Sequence, residues 1–214
     1  METCIPESSK PSLENLFLDF EHPNPNINHK ACLDMVVYWP DASIERLCFN
    51  LHKKNIEIRR KSVKALGFFG NAALLPVVKI FLTTPDLTVR VSCLKVFAKI
   101  AAIEKYDSIP RELEEIIEIA LKDENPQMIL ALVCLLRQLN KLGIPILILI
   151  TRDKNILRAK AAITALGEID DPSVSNYLKS LLNDSSIDFL LQEGILFSLD
   201  NYSSRLNVLD RDKK

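Results

Sequence analysis

Five residues bring aromatic rings, charges and an amide to places where they could meet a partner: Trp39, Arg46, Asn50, Tyr177 and Lys179. Arg46 and Asn50 lie one helical turn apart and share a face, so one can pair with a carboxylate while the other supplies an amide. Trp39 stands directly before Pro40, at a turn, where its ring can stack or seal. His22, His29 and Cys32 form the one local set of soft ligands, but no fourth Cys or His follows at tetrahedral spacing, and no metal is expected. The cysteines at 4, 32, 48, 93 and 134 are odd in number and scattered through apolar patterns. They read as buried thiols in a reducing compartment, without disulfides. A Gly-rich phosphate loop, a Ser/His/Asp set and a metalloprotease motif do not appear, so no motif identifies a self-contained catalytic centre. The acidic run from Arg111 to Glu118 suits a helix start, and Asp123-Glu124-Asn125-Pro126 and Asp170-Asp171-Pro172 suit turns and caps.

The elements that must position these residues are repeated. Asp34-Met35-Val36, Ala65-Leu66-Gly67, Val96-Phe97-Ala98, Cys134-Leu135-Leu136, Ala165-Leu166-Gly167 and Leu196-Phe197-Ser198 recur at about 31 residues, apart from one longer step. The polar stretch Glu104 to Pro110 accounts for that step as an inserted loop. Leu47, Val78, Ile116, Leu147 and Leu178 follow the same register through the insertion, and Tyr177 becomes the equivalent of Arg46. Each repeat reads as two antiparallel helices. In the second repeat Ile58, Ser62, Val63, Leu66 and Phe69 share a face while Arg59, Lys61 and Lys64 point outward.

The expected pairs are 27–38 with 42–52, 58–69 with 74–83, 89–103 with 111–122, 127–140 with 144–152, and 156–169 with 174–183. Single helices over 13–20 and 189–202 cap the ends. The fold class is therefore all-α, an α-solenoid of about five to six short helix pairs. One unit covers 13–203, after a flexible leader over 1–12 and before a polar C-terminal tail over 204–214. Arg59, Arg90 and Arg158 are expected to bridge neighbouring repeats. The five core positions and the two glycines, Gly67 and Gly167, are expected between layers, the glycines where backbones come close.

Composition limits the partners. Hydrophobic residues make up 48% of the 214 residues and the formal net charge is -1, which favours a packed core and argues against a broad basic stripe for nucleic acid. A helical-repeat DNA glycosylase would need such a cationic groove. The longest apolar run, Ile144 to Ile150, is far shorter than the ~20 residues of a membrane span. No h-region of a secretory signal appears among the first residues.

Ile58-Arg59-Arg60-Lys61-Ser62-Val63-Lys64-Ala65-Leu66-Gly67, with Ala161-Ala162-Ile163-Thr164-Ala165-Leu166-Gly167, resembles the short HEAT-like repeat of the phycobilisome lyase-type family, the bilin lyase E/F-type relatives. Leu13-Glu14-Asn15-Leu16, His22-Pro23-Asn24-Pro25-Asn26 and Tyr38-Trp39 are most like the members of that family that act in phycobilisome degradation. The resemblance implies a protein of a cyanobacterial cytoplasm or a red-algal plastid stroma that binds phycobiliprotein subunits or their bilins. It implies bilin attachment, detachment or escort, with thioether formation or reversal as the lyase chemistry. A second lyase subunit is an implied partner, and a transient phycobilin, with no tightly bound cofactor, an implied ligand. Under that reading the five residues above meet the propionates and pyrroles. The alternative of another class is a non-catalytic adaptor that only binds other proteins.

Overall fold

The computed structural model describes residues 10–211, with side chains through Arg205. Every regular element among them is helical. The chain divides between Lys105 and Tyr106, inside the expected Glu104 to Pro110 loop, into two compact units. The first contains α1 (Leu13–Glu21), α2 (Pro25–Tyr38), α3 (Pro40–Asn50), α4 (Ile56–Gly67), α5 (Leu74–Thr83) and α6 (Leu87–Ala101). The second contains α7 (Arg111–Lys122), α8 (Pro126–Gln138), α9 (Ile144–Ile150), α10 (Ile156–Gly167), α11 (Pro172–Leu182) and α12 (Phe189–Arg211).

The helix starts show why the repeat persists where its triplet decays. Asn24, Asn55, Asp86, Asn125 and Asn155 each cap the first helix of a pair, accepting from the backbone N–H two residues on at 2.7 to 3.0 Å. The first three stand 31 residues apart, so the cap follows the repeat step. Four helices start with Pro at the first position, at Pro25, Pro40, Pro126 and Pro172. The sequence reading treated these prolines as breakers and began the helices a residue or two late. A proline without an N–H is at no disadvantage in the first turn, where that donor has no intrahelical acceptor.

Leu47, Leu66, Ile116, Leu147, Leu166 and Leu178 are fully buried and Val78 nearly so. Leu66→Ala is expected to cost about 2–5 kcal/mol for the lost apolar area and the cavity left behind. Two of the arginines expected to bridge neighbouring repeats do something else: Arg59 Nη1 donates to the Lys53 and Lys54 carbonyls just before its own helix at 2.7 and 2.9 Å, and Arg158 pairs with Asp153 at 3.0 Å and donates from Nη2 to Leu121 O, two pairs back, at 3.3 Å. Arg90 lies over the Phe81 ring, 4.6 Å from its centroid.

Both glycines face close neighbours. A Cβ on Gly67 of α4 would stand 2.6 Å from Lys99 Cβ of α6, and one on Gly167 of α10 would stand 2.6 Å from Ser198 Cβ of α12. A methyl cannot fit at that separation without moving a helix.

The ends depart from expectation. Residues 1–9 of the expected leader lie outside the described residues, while Ser12 caps α1 by accepting from Asn15 N at 3.2 Å. The last helix does not stop at Tyr202 but continues to Arg211, through most of the expected polar tail. Tyr202 is buried and Arg205 Nη1 donates to Glu168 O at 2.6 Å, so the helix is held well beyond its apolar part. Residues 212–214 lie outside the described residues.

Candidate functional site

Trp39, Arg46 and Asn50 belong to the first unit, Tyr177 and Lys179 to the second, and each set is placed by its own helices. Trp39 is the hinge residue between α2 and α3, extended at φ -144°, and its indole Nε1 donates to Pro11 O at 2.8 Å. The Lys10 ammonium lies 3.5 Å from its ring centroid. The ring is thus a half-buried seal at the chain's entry to α1. Arg46 pairs with Glu14 at 2.8 Å and covers the Phe17 ring at 4.0 Å, which ties α3 to α1. Asn50, on the same helix, is 2% exposed and faces inward. This trio joins α1, α2 and α3.

Tyr177 bonds to buried Thr151 at 2.5 Å between hydroxyl oxygens. Thr151 Oγ1 donates its single proton to Ile148 O at 2.7 Å, so the phenol is the donor in that pair. Next to it Arg152 reaches Asp184 at 2.6 Å, and Ser186 with Arg152 holds the Asp184 carboxyl down at about 2. Lys179, two residues on from Tyr177, is exposed, with no side-chain partner among the described residues.

The sequence reading did not single out one recess in the second unit. Between α8 and α10 lies a groove of about 420 Å³ lined by Leu130, Val133, Cys134, Arg137, Lys160, Ala161, Thr164, Ala165 and Glu168. Its floor is apolar. Arg137 and Glu168, one repeat step apart, pair across the seam at one end, and the Lys160 ammonium stem runs along the other side.

Cys134 corrects an expectation: it is exposed in this groove, not buried. The positions aligned with it differ among themselves: Ala65, Val96 and Ala165 are buried, whereas Leu196 is exposed. Cys32, Cys48 and Cys93 are buried as expected; burial pushes the first two thiols up to about 11 and Cys93 higher still, so they are protonated at neutral pH. The structure moves the fourth triplet on by one: Gly67 and Gly167 each lie 12 residues after their caps, Asn55 and Asn155, and the position 12 after the cap Asn125 is Arg137, so this repeat lacks the glycine that lets the next first helix close in.

The candidate metal ligands and the acidic turn at Asp171 serve the fold. His22 Nδ1 accepts from Asn24 N at 3.0 Å, His29 stacks edge-on against Phe68 at 5.2 Å, and Cys32 is buried. No cluster of three or more metal-ligating side chains occurs among the described residues. Asp171 accepts from Ser173 N at 2.9 Å and from its hydroxyl at 2.6 Å, which is cap chemistry. No described helix is long and apolar enough to cross a membrane.

No family model matches the chain. Among solved structures it is similar to a designed armadillo repeat protein in complex with the peptide (KR)4, at 16% identity and TM-score 0.45, covering 90% of this chain and 100% of that one. It is similar to the CpcE–CpcF complex of phycocyanin lyase from Nostoc sp. PCC7120 at 15% identity and TM-score 0.33, covering 92% of this chain and 98% of that one. The helix pairs described above, not these likenesses, establish the fold. In sequence the chain is 26% identical to an uncharacterized phycocyanin operon protein Z of Pseudanabaena tenuis (strain PCC 7409), over 85% of this chain and 91% of that protein. It is 29% identical to the bilin biosynthesis protein CpeZ of Synechococcus sp. (strain WH8020), over 81% of this chain and 97% of that protein. The chain is thus similar, over nearly their whole lengths, to two cyanobacterial proteins, one named for bilin biosynthesis and the other for a phycocyanin operon.

Proposed function

We propose that this chain is a bilin lyase-type helical-repeat protein that binds phycobiliproteins or their bilins and acts in bilin attachment or detachment. The observation that carries the reading is the 29% identity spread over 97% of a bilin biosynthesis protein. Similarity on that scale extends across both compact units and is not confined to one repeat. Phycobiliprotein subunits and a second lyase subunit are the partners in this reading, in a cyanobacterial cytoplasm or a red-algal plastid stroma.

The α8–α10 groove suits a bilin. An open-chain tetrapyrrole presents a long apolar face and two carboxylates, and the groove offers an apolar floor with a cation beside it. Lys160 meets a propionate, Leu130 and Val133 pack against the rings, and Thr164 offers a hydroxyl. Contact of this kind holds the pigment without a bond to it. The exposed Lys179 in the second unit and the rim of Trp39 in the first are further contact points for the protein partner, whereas Asn50 is buried and Arg46 is paired with Glu14.

Attachment and degradation are separated by one experiment. The chain is co-expressed with phycocyanin or allophycocyanin subunits in cells that make the bilin, and covalent pigment on the subunit is read by fluorescence after denaturing electrophoresis. Attachment predicts a gain of colour over cells lacking the chain. A role in phycobilisome degradation, the narrower reading from the opening residues, predicts loss of colour from subunits that already carry pigment. No change in either direction, and no co-purification with the subunits, would refute the proposal. Ala161→Trp, which fills the groove, is expected to abolish the effect while leaving helical content intact.

A further inference from the structure

The first unit carries a charged face that the proposed function leaves unused. Arg60 and Lys64 are one turn apart on α4, and Lys95 and Lys99 are one turn apart on α6. All four are exposed, and among the described residues none has an ion-paired or hydrogen-bonded side-chain partner. They are contiguous. Lys99 Cβ lies against Gly67, and Lys64 is one turn before Gly67 on the opposing helix. Lys64 and Lys95 are repeat equivalents, 31 residues apart, on helices that run in the same direction.

Such a set has a cost. Like charges one turn apart weaken a helix, and the close α4–α6 approach adds repulsion across the seam. The one acid within reach on α4, Glu57, is committed to Lys61 at 3.2 Å. In a chain whose net charge is -1, the acids needed to balance these cations stand elsewhere. Glu114, Glu115 and Glu118 are exposed on α7 in the other unit, likewise without partners among the described residues.

We infer that the α4–α6 face, centred on Lys64 and Lys95, docks an acidic surface of the client protein. This rests on the proposed function for the identity of that client and adds the chemistry of its contact face. The four side chains are spread over two helices, so they suit a broad macromolecular surface better than a small anion. Exposed charges of this kind supply approach rate and orientation more than lasting affinity, which fits a protein that must release its client after acting on it.

The test measures association of the full chain with a purified phycocyanin subunit by surface-immobilised kinetics, from low salt to ~0.15 M salt. Three chains are compared: the parent, Lys64→Glu with Lys95→Glu, and Lys64→Gln with Lys95→Gln. Exposed positions tolerate these changes, and circular dichroism confirms the fold. The expected result is association about tenfold slower for the Glu variant, a smaller loss for the Gln variant, and a flattened salt dependence with dissociation little changed. If the parent binds and the Glu variant associates at the same rate, this inference is wrong and the proposed function stands. If the parent binds neither the subunit nor its pigmented form, both fall. Two other outcomes overturn the inference in favour of another occupant. One is tighter binding of duplex DNA than of the subunit at ~0.15 M salt, lost in the Glu variant. The other is salt-sensitive self-association of the parent in analytical ultracentrifugation, abolished by Glu114→Lys with Glu118→Lys, which would assign the face to α7 of a second copy.

Discussion

Two seams between successive first helices, one in each unit, show how a single residue decides between closure and a groove. At the α4–α6 seam the triplet ends in Gly67, and α6 comes close enough that Lys99 Cβ would touch a methyl there. At the α8–α10 seam the position at the same distance from its cap is Arg137, and a groove of about 420 Å³ remains between the helices. The α10–α12 seam repeats the first case, with Gly167 against Ser198. An arginine needs space that a glycine does not, and Arg137 reaches Glu168 across that seam while small side chains such as Ala161 and Ala165 leave a recess beside it. The closed seam of the first unit carries cations on its surface; the open seam of the second exposes Cys134 and an apolar floor.

The comparison can be broken at several points. The largest effect is expected in the core beneath the seams. Leu136→Ala should cost about 2–5 kcal/mol in chemical denaturation, as Leu66→Ala should in the first unit. A loss near zero at Leu136 would mean that it is not the core equivalent of Leu66. Next come the glycines. Gly167→Leu should cost about 1–3 kcal/mol by overpacking against Ser198, whereas Gly194→Ala, whose added methyl would meet only Lys160 carbons at 3.8 and 3.9 Å, should be neutral or slightly stabilising by thermal melting. Equal tolerance at the two sites would contradict the close-approach argument.

Thiol chemistry sharpens the contrast without altering stability. With iodoacetamide at neutral pH, peptide mapping should find Cys134 modified in the native protein, and Cys32, Cys48 and Cys93 modified only on unfolding. Because the groove holds pigment non-covalently in this account, Cys134→Ser should keep pigment binding. Its loss would make the thiol a participant.

The smallest effect is a pH dependence in the second unit. The Asp184 carboxyl is held at about 2, below its ordinary value of 3.8, chiefly by Ser186 and then by Arg152. A depressed carboxyl contributes stability above its unfolded pKa and loses it as pH falls through the folded one. Asp184→Asn should therefore differ from the parent at neutral pH and converge with it as pH approaches 2, which melting curves over that range can read.

Much of this fold was legible because the repeat is written several times over. Leu47, Leu147 and Leu178 share a register that survives the Glu104 to Pro110 insertion, and the capping residues Asn24, Asn55 and Asp86 repeat at the same step. The close approach at Gly67 and Gly167 was readable for the same reason: glycine inside a helix is unfavourable unless packing requires it. The site was less legible. Arg46 and Asn50 share a helical face, but periodicity does not say that Glu14 and Phe17 of α1 cover that face. Trp39 looked available until Lys10 and Pro11 were seen against it. The groove goes with a substitution within the repeat, Arg137 for Gly, whose effect appears only when the next helix is in place. The cationic face was half visible, since Lys64 points outward on the helical wheel; the 31-residue step to Lys95 was the clue to its neighbour.

Pigment binding tests the central claim most directly. A free phycobilin is titrated with the parent chain and with Ala161→Trp, and the visible absorbance of the pigment is followed together with circular dichroism of the protein. The account predicts a saturable change in the pigment spectrum with the parent and its loss in the folded Ala161→Trp variant, because the indole occupies the α8–α10 groove. An equal spectral change with both chains would contradict the groove as the site, and no change with the parent would contradict bilin binding itself.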